Sequence, residues 1–305
     1  MIRAAERLRA EAAKRILVKD GAYGTEVQAR RLKEAEYRGD LDLARDQKGN
    51  NDQLNLSRPA LMREIALSFA DAGAEILATN TFNANRISQA DYGAEHLVRE
   101  INLAAARITR EVAAEAEARD GIARWVAGAL GPTNKTLSLS PDVNDPGFRE
   151  VDFDTMSDVY VEQIESLVEG GADILATHHF YSTRFSLADY YPEVLVRDIN
   201  IEAARIIREA IEAASARDGV TRFVAGAIGP TNKTLSLSPD VNDPGFREID
   251  WDTLVEVYRE QAAALIEGGA DFVLVETVFD TLNAKVAVFA VEKLFADLGR
   301  RHPVM

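Results

Sequence analysis

Residues 125–152 read WVAGALGPTNKTLSLSPDVNDPGFREVD and residues 223–250 read FVAGAIGPTNKTLSLSPDVNDPGFREID, so 25 of 28 positions agree at an offset of 98 residues. The same offset relates GAEILATNTF at Gly73 to GADILATHHF at Gly171, and EINLAAARITRE at Glu100 to DINIEAARIIRE at Asp198. A third, partial copy, GADFVLVETVF, begins at Gly269. Each copy of the internal repeat, 73–168 and 171–266, holds two short apolar runs and two longer amphipathic segments. That is two strand-helix pairs, a quarter of an eight-unit barrel, and too long for the repeats of about 20–50 residues that build solenoids. Two tandem domains would give the same offset, but no linker rich in Pro, Gly or Ser separates the copies, so one domain spanning 1–305 is expected.

Outward from the repeat, helical and extended patterns alternate along the whole chain, as parallel strands joined by helical crossovers require. Strands are expected near 16–19, 75–79, 125–130, 173–177, 223–228 and 271–276, each a short run of Val, Ile, Leu or Ala without polar alternation. Such runs suit strands buried on both faces. Leu97, Ile101, Ala104, Ala105 and Ile108, and later Val255, Tyr258, Ala262, Leu265 and Ile266, recur at helical spacing. Ser57 before Arg58-Pro59 reads as an N-cap, and Gly73, Gly171 and Gly269 read as helix stops. The fold class is therefore α/β, a TIM-type (β/α) barrel of repeated strand-helix units. Whether it is incomplete or completed by a partner chain is open at this level.

The chain has 305 residues, 47% of them hydrophobic, enough for one large core. With 50 Asp and Glu against 35 Lys and Arg its formal net charge is -15, which repels nucleic acid. No apolar run reaches the roughly 20 residues of a membrane span, and Glu6, Arg7, Arg9 and Glu11 interrupt any signal-peptide core, so a soluble cytoplasmic protein is expected. There are no cysteines, which excludes disulfides and thiolate metal sites within these residues.

Three motifs fall where barrel strands end, the edge on which this architecture places its sites. They are Asp20-Gly21-Ala22-Tyr23-Gly24-Thr25, Gly131-Pro132-Thr133-Asn134-Lys135-Thr136 continuing to Pro146-Gly147, and Glu276-Thr277-Val278-Phe279-Asp280 with Asn283 and Lys285. Together with Lys48-Gly49-Asn50-Asn51-Asp52 and Asn80-Thr81-Phe82-Asn83, they resemble the homocysteine-binding, homocysteine S-methyltransferase barrel of cobalamin-dependent methionine synthase. The resemblance covers nearly all of the chain, with strands two and three of the family's N-terminal half present twice. It implies a half-reaction in which zinc held by three cysteines lowers the pKa of a substrate thiol so that the thiolate attacks a methyl group.

By the same resemblance, Asp20 and Glu276 hold the homocysteine amino group, backbone at Gly21 and Ala22 receives its carboxylate, and Asn80 and Thr81 belong to the same substrate site. The family's cysteines lie on later strands, and this sequence ends at Pro303-Val304-Met305, about where the family's fifth strand begins. The expectation is no zinc cofactor, no catalytic residue, and at most weak binding of homocysteine or a related amino acid. The alternative is a duplicated or engineered (β/α) scaffold without activity that self-associates.

Blander readings stand beside these. His178 and His179 could offer nitrogen ligands, but adjacent strand residues point to opposite faces, and hydrogen-bonded polar residues are the favoured reading. Asn134-Lys135 and Asn232-Lys233 could bind an anion, though a solvated loop is favoured. An acid-base pair of Asp20 and Glu276 lacks an activated nucleophile, so ligand holding is preferred.

Overall fold

The computed structural model describes residues 4–135, 137, 140–177, 182–188 and 195–305. In chain order the elements are α1 (Ala4–Ala12), α2 (Tyr23–Arg30), α3 (Glu34–Arg38), α4 (Leu54–Ser57), α5 (Pro59–Asp71), β1 (Ile76–Ala78), α6 (Arg86–Gln89), α7 (Val98–Asp120), β2 (Trp125–Gly128), α8 (Phe153–Gly170), β3 (Ile174–Ala176), α9 (Arg184–Leu187), α10 (Leu195–Asp218), β4 (Phe223–Ile228), α11 (Trp251–Glu267), β5 (Phe272–Val275) and α12 (Thr281–Leu298). Parallel strands joined by helices make this an α/β fold of TIM type, as expected. The residues form two compact units, one of 18–175 with 210–222, the other of 1–17, 176–209 and 223–305.

In the first unit Lys19 bridges to Ile76, β1 pairs with β2 from Ile76↔Trp125 to Ala78↔Ala127, and β2 pairs with Ile174 and Leu175, all in parallel. Every residue of β1 and β2 is buried, which is why their sequences carry no polar alternation. Arginine locks the crossovers. The Arg124 guanidinium, with no exposed side-chain surface, donates from Nε to Ala74 O (3.1 Å) and from Nη2 to Ala70 O (3.0 Å), and pairs with Asp120. That pairing holds the Asp120 carboxyl well below the usual carboxylate range.

In the second unit β4 pairs with β5 from Ala225↔Phe272 to Ile228↔Val275, and Phe223 meets Phe272 edge-on at 5.4 Å. Residues 303–305 extend the ladder, with Val273 N donating to Pro303 O (3.0 Å) and Val275 N to Met305 O (2.9 Å). Leu17 N donates to Val304 O at 3.2 Å. All six β4 residues are buried, and Phe223, Val224 and Ile228 each contribute about 1.5–3 kcal/mol by leaving water.

Gly171 and Gly269 end their helices with φ +109 and +104, the left-handed backbone that glycine adopts without penalty. The equivalent arginines complete both turns: Arg110 Nη2 donates to Gly171 O (2.7 Å), and Arg208 Nη2 to Gly269 O (2.6 Å). Ser57 departs from expectation. It ends α4, and Arg58 occupies the position before α5, because Pro59 with its fixed φ takes the first helical position. No described helix is long and apolar enough to cross a membrane.

Candidate functional site

In the first unit the chain leaves the Lys19 bridge and enters Asp20-Gly21-Ala22 before α2. Asp20 N donates to Ile76 O (2.9 Å), and the Asp20 Oδ2 accepts from Ala78 N (2.7 Å). The Lys19 ammonium stands 3.5 Å from Oδ1, and the Asp20 side chain has no exposed surface. The carboxylate thus fastens the entry segment to β1. Gly21 packs closely, since a Cβ there would lie 2.8 Å from Phe69 Cε1 and the ring would have to shift.

Gly21 and Ala22 themselves are exposed. Ala22 is the N-cap of α2 and offers no side-chain oxygen, so no side chain caps the positive end of the helix. Tyr23 turns inward, its ring edge-on to Phe69 at 5.6 Å. Burial, with the Asp20 charge beside it, pushes the Tyr23 hydroxyl well above its ordinary pKa.

Asn80 and Thr81 lie at the end of β1, both buried. The Asn80 Nδ2 donates to Asn51 O (2.7 Å) and contacts Met62 Sδ (3.2 Å), while the Thr81 hydroxyl donates to Ala129 O (2.7 Å) and shares a 2.6 Å bond with Thr79. These bonds hold backbone together across the strand ends. Below them lies a polar cluster that the sequence reading assigned no role. Asn50 Nδ2 donates to Gln89 Oε1 (2.8 Å), Gln89 Nε2 returns to Asn50 Oδ1 (3.0 Å), and Gln53 Nε2 donates to Tyr37 O (2.9 Å). The density of amides in Asn50-Asn51-Asp52-Gln53 was its signal in the sequence. Asp52, 3% exposed, accepts from Asn83 N (2.9 Å); burial pushes its carboxyl up to about 7.

In the second unit Glu276 ends the ladder of β5, its N donating to Ile228 O (3.0 Å), and its side chain is half-buried. Thr277 follows with φ +61, and Phe279 is exposed. Asp280 caps α12 and clamps the loop after β4: it accepts from Leu235 N (2.8 Å), Ser236 N (3.1 Å), the Ser236 hydroxyl, Leu282 N (2.9 Å) and Asn283 Nδ2 (3.0 Å). Burial alone would raise this carboxyl; the Ser236 and Asn283 donors win and hold it well below the usual range.

The anion reading of the repeated loops loses its cations to local partners, since Lys135 pairs with Glu150 (2.6 Å) and Lys233 with Glu248 (2.8 Å). Among the described residues no group of three or more His, Asp or Glu could hold a metal ion, and His178 and His179 lie outside them. Thiolate zinc chemistry does not fit the donors of this chain, which has no cysteine.

A sequence model of the family described as Homocysteine S-methyltransferase matches residues 17–184 and 168–305. Among solved structures, the metallated form of the homocysteine methyltransferase MmuM from Escherichia coli aligns with a TM-score of 0.58 at 19% identity, covering 94% of this chain and 83% of that one. Its oxidized form aligns with a TM-score of 0.53 at 18% identity, covering 94% and 82%. At that identity the two likenesses speak to the fold.

Proposed function

The chain belongs to the homocysteine S-methyltransferase family, and from that premise we propose that it binds the amino-acid end of homocysteine as a module of the methionine-synthase kind. The observation that carries the reading is the start of α2. An exposed Gly21-Ala22 turn leads into α2 with no side-chain cap on its first N–H groups, and an uncapped helix start of this kind suits a substrate carboxylate. Asp20 keeps that turn in place through Ala78. In the second unit, taken by itself, half-buried Glu276 is a carboxylate suited to the ammonium group of an amino acid.

Bound zinc, in this chemistry, supplies a thiolate at neutral pH. These 305 residues offer no thiolate ligand for it. A homocysteine thiol held by them keeps a pKa of about 8.5 and stays mostly protonated. An exposed ion pair adds only about 1 kcal/mol, so affinity is about millimolar. Titration with L-homocysteine followed by NMR tests binding, and methionine formation from methylcobalamin tests transfer. Saturable millimolar binding without transfer is expected. Methyl transfer that disappears in Glu276→Ala would overturn the inactive reading. The 25-of-28 repeat favours a second reading, a duplicated scaffold without a ligand, and absence of any saturable shift would establish it.

A further inference from the structure

Thr277 has φ +61, and the other described non-glycine residue with positive φ is Arg31, which ends α2. A β-branched residue in the left-handed region crowds its own backbone, and such a conformation persists only where the surroundings impose it. Here both flanks are fixed. Glu276 N is tied to Ile228 O (3.0 Å), and Asp280, three residues beyond Thr277, is anchored by Leu235, Ser236, Leu282 and Asn283. Glycine would take this backbone without strain. Threonine instead places a hydroxyl there, exposed, and no group among the described residues hydrogen-bonds it.

Two repeat lengths earlier, the equivalent position is Thr81. It is 0% exposed, has no positive φ, and spends its hydroxyl on Ala129 O (2.7 Å). One residue type at one register position is thus structural and relaxed in one unit, strained and open in the other. We propose that Thr277 is a ligand-contacting residue, its hydroxyl oxygen accepting a hydrogen bond from the α-ammonium of the amino acid that Glu276 pairs with. The proposal rests on the amino-acid reading of Glu276. An ammonium carries three donors, so a carboxylate and a hydroxyl on adjacent residues can share it.

The test uses Thr277→Gly, which lifts the strain and removes the hydroxyl, and Thr277→Ser, which keeps the hydroxyl without the β-branch. L-Methionine is titrated into each chain by NMR, beside 4-(methylthio)butyrate, which lacks the amino group. Expected are a higher urea midpoint for Thr277→Gly, about tenfold weaker L-methionine binding, near wild-type binding for Thr277→Ser, and no difference between the chains for 4-(methylthio)butyrate. Equal L-methionine affinity of the wild type and Thr277→Gly, or a lower urea midpoint for the glycine variant, overturns the proposal. L-Norleucine separates it from the homocysteine reading. If norleucine shifts the Thr277 methyl and L-homocysteine does not, the homocysteine reading fails and the Thr277 site stands; if no amino acid shifts that methyl, the Thr277 site falls too.

Discussion

Asp52 and Asp280 are 3% and 4% exposed, but Asp52 accepts from backbone N–H, that of Asn83 at 2.9 Å, where Asp280 gathers Leu235, Ser236, Leu282 and Asn283 around both oxygens. Burial pushes the Asp52 carboxyl up to about 7 and the donors hold Asp280 below the ordinary range. Similar exposure thus goes with opposite charge preferences: deeper burial raises the Asp52 carboxyl, while the donors aimed at Asp280 outweigh its shallower burial. The same contrast separates the two copies of the repeated loop. Asp280 clamps the second copy, and the position 98 residues before it is Ser182.

The largest expected effect follows from Asp52. Its folded pKa lies above the unfolded value of 3.8, so the native state binds the proton more tightly. That contribution is fully present below pH 3.8 and is lost as pH rises through 7. At pH 8 the charged carboxylate costs about 4 kcal/mol, at 1.36 kcal/mol per unit. Asp52→Asn should raise stability by about that amount at pH 8 and hardly at all at pH 4, measured by urea unfolding at both. A pH-independent effect would break the contrast.

Asp280 has the opposite sign. Its depressed pKa contributes stability present above the unfolded carboxylate value and lost as pH falls below it. Asp280→Ala removes a helix cap and strands the Leu235 and Ser236 amides, a loss of about 3 kcal/mol at pH 7 that shrinks under acid. Ser182→Ala should cost under about 1 kcal/mol. Equal losses would show that the clamp matters little to the second loop.

Much of this frame was legible in the sequence. The strands stood out because each is an unbroken apolar run, and the glycine stops because three copies of Gly-Ala-Asp/Glu share one helix ending. Other features were hidden. Asn50 finds Gln89 39 residues away, a pairing that no local pattern records. The Asp20 carboxylate accepts from Ala78 N, 58 residues on, a tie to β1 that no local pattern records. Thr277 misleads by its type, since β-branched residues signal extended backbone and here one is held left-handed by its neighbours.

A smaller effect probes helix contact in the two copies. A Cβ at Gly268 would lie 2.3 Å from Ile201 O, a backbone atom that cannot rotate away; at Gly170 the nearest atom would be the Ala106 methyl, at 2.5 Å. Gly268→Ala should cost about 2–3 kcal/mol and Gly170→Ala about 1–2 kcal/mol, both by overpacking. A reversed order in the urea midpoints would mean that the second helix pair yields more readily than the first.

The smallest expected effect bears on the identical loops themselves. Lys135–Glu150 and Lys233–Glu248 are the same pair in both copies, at 2.6 and 2.8 Å, with lysine side chains 34% and 31% exposed. Their backbones differ, because Lys233 O accepts from both Thr231 Oγ1 (2.9 Å) and Asn283 Nδ2 (3.1 Å), while Lys135 O accepts from Thr133 Oγ1 (2.7 Å). Fixing the backbone does nothing to the four side-chain torsions of lysine, whose ordering cancels most of the Coulomb gain of a half-exposed pair. Double-mutant cycles should therefore give about 0.5 kcal/mol or less in each copy, equal within error and vanishing in high salt. A coupling above about 1 kcal/mol confined to Lys233–Glu248 would show that the Asp280 clamp orders the side chains of its loop as well as the backbone.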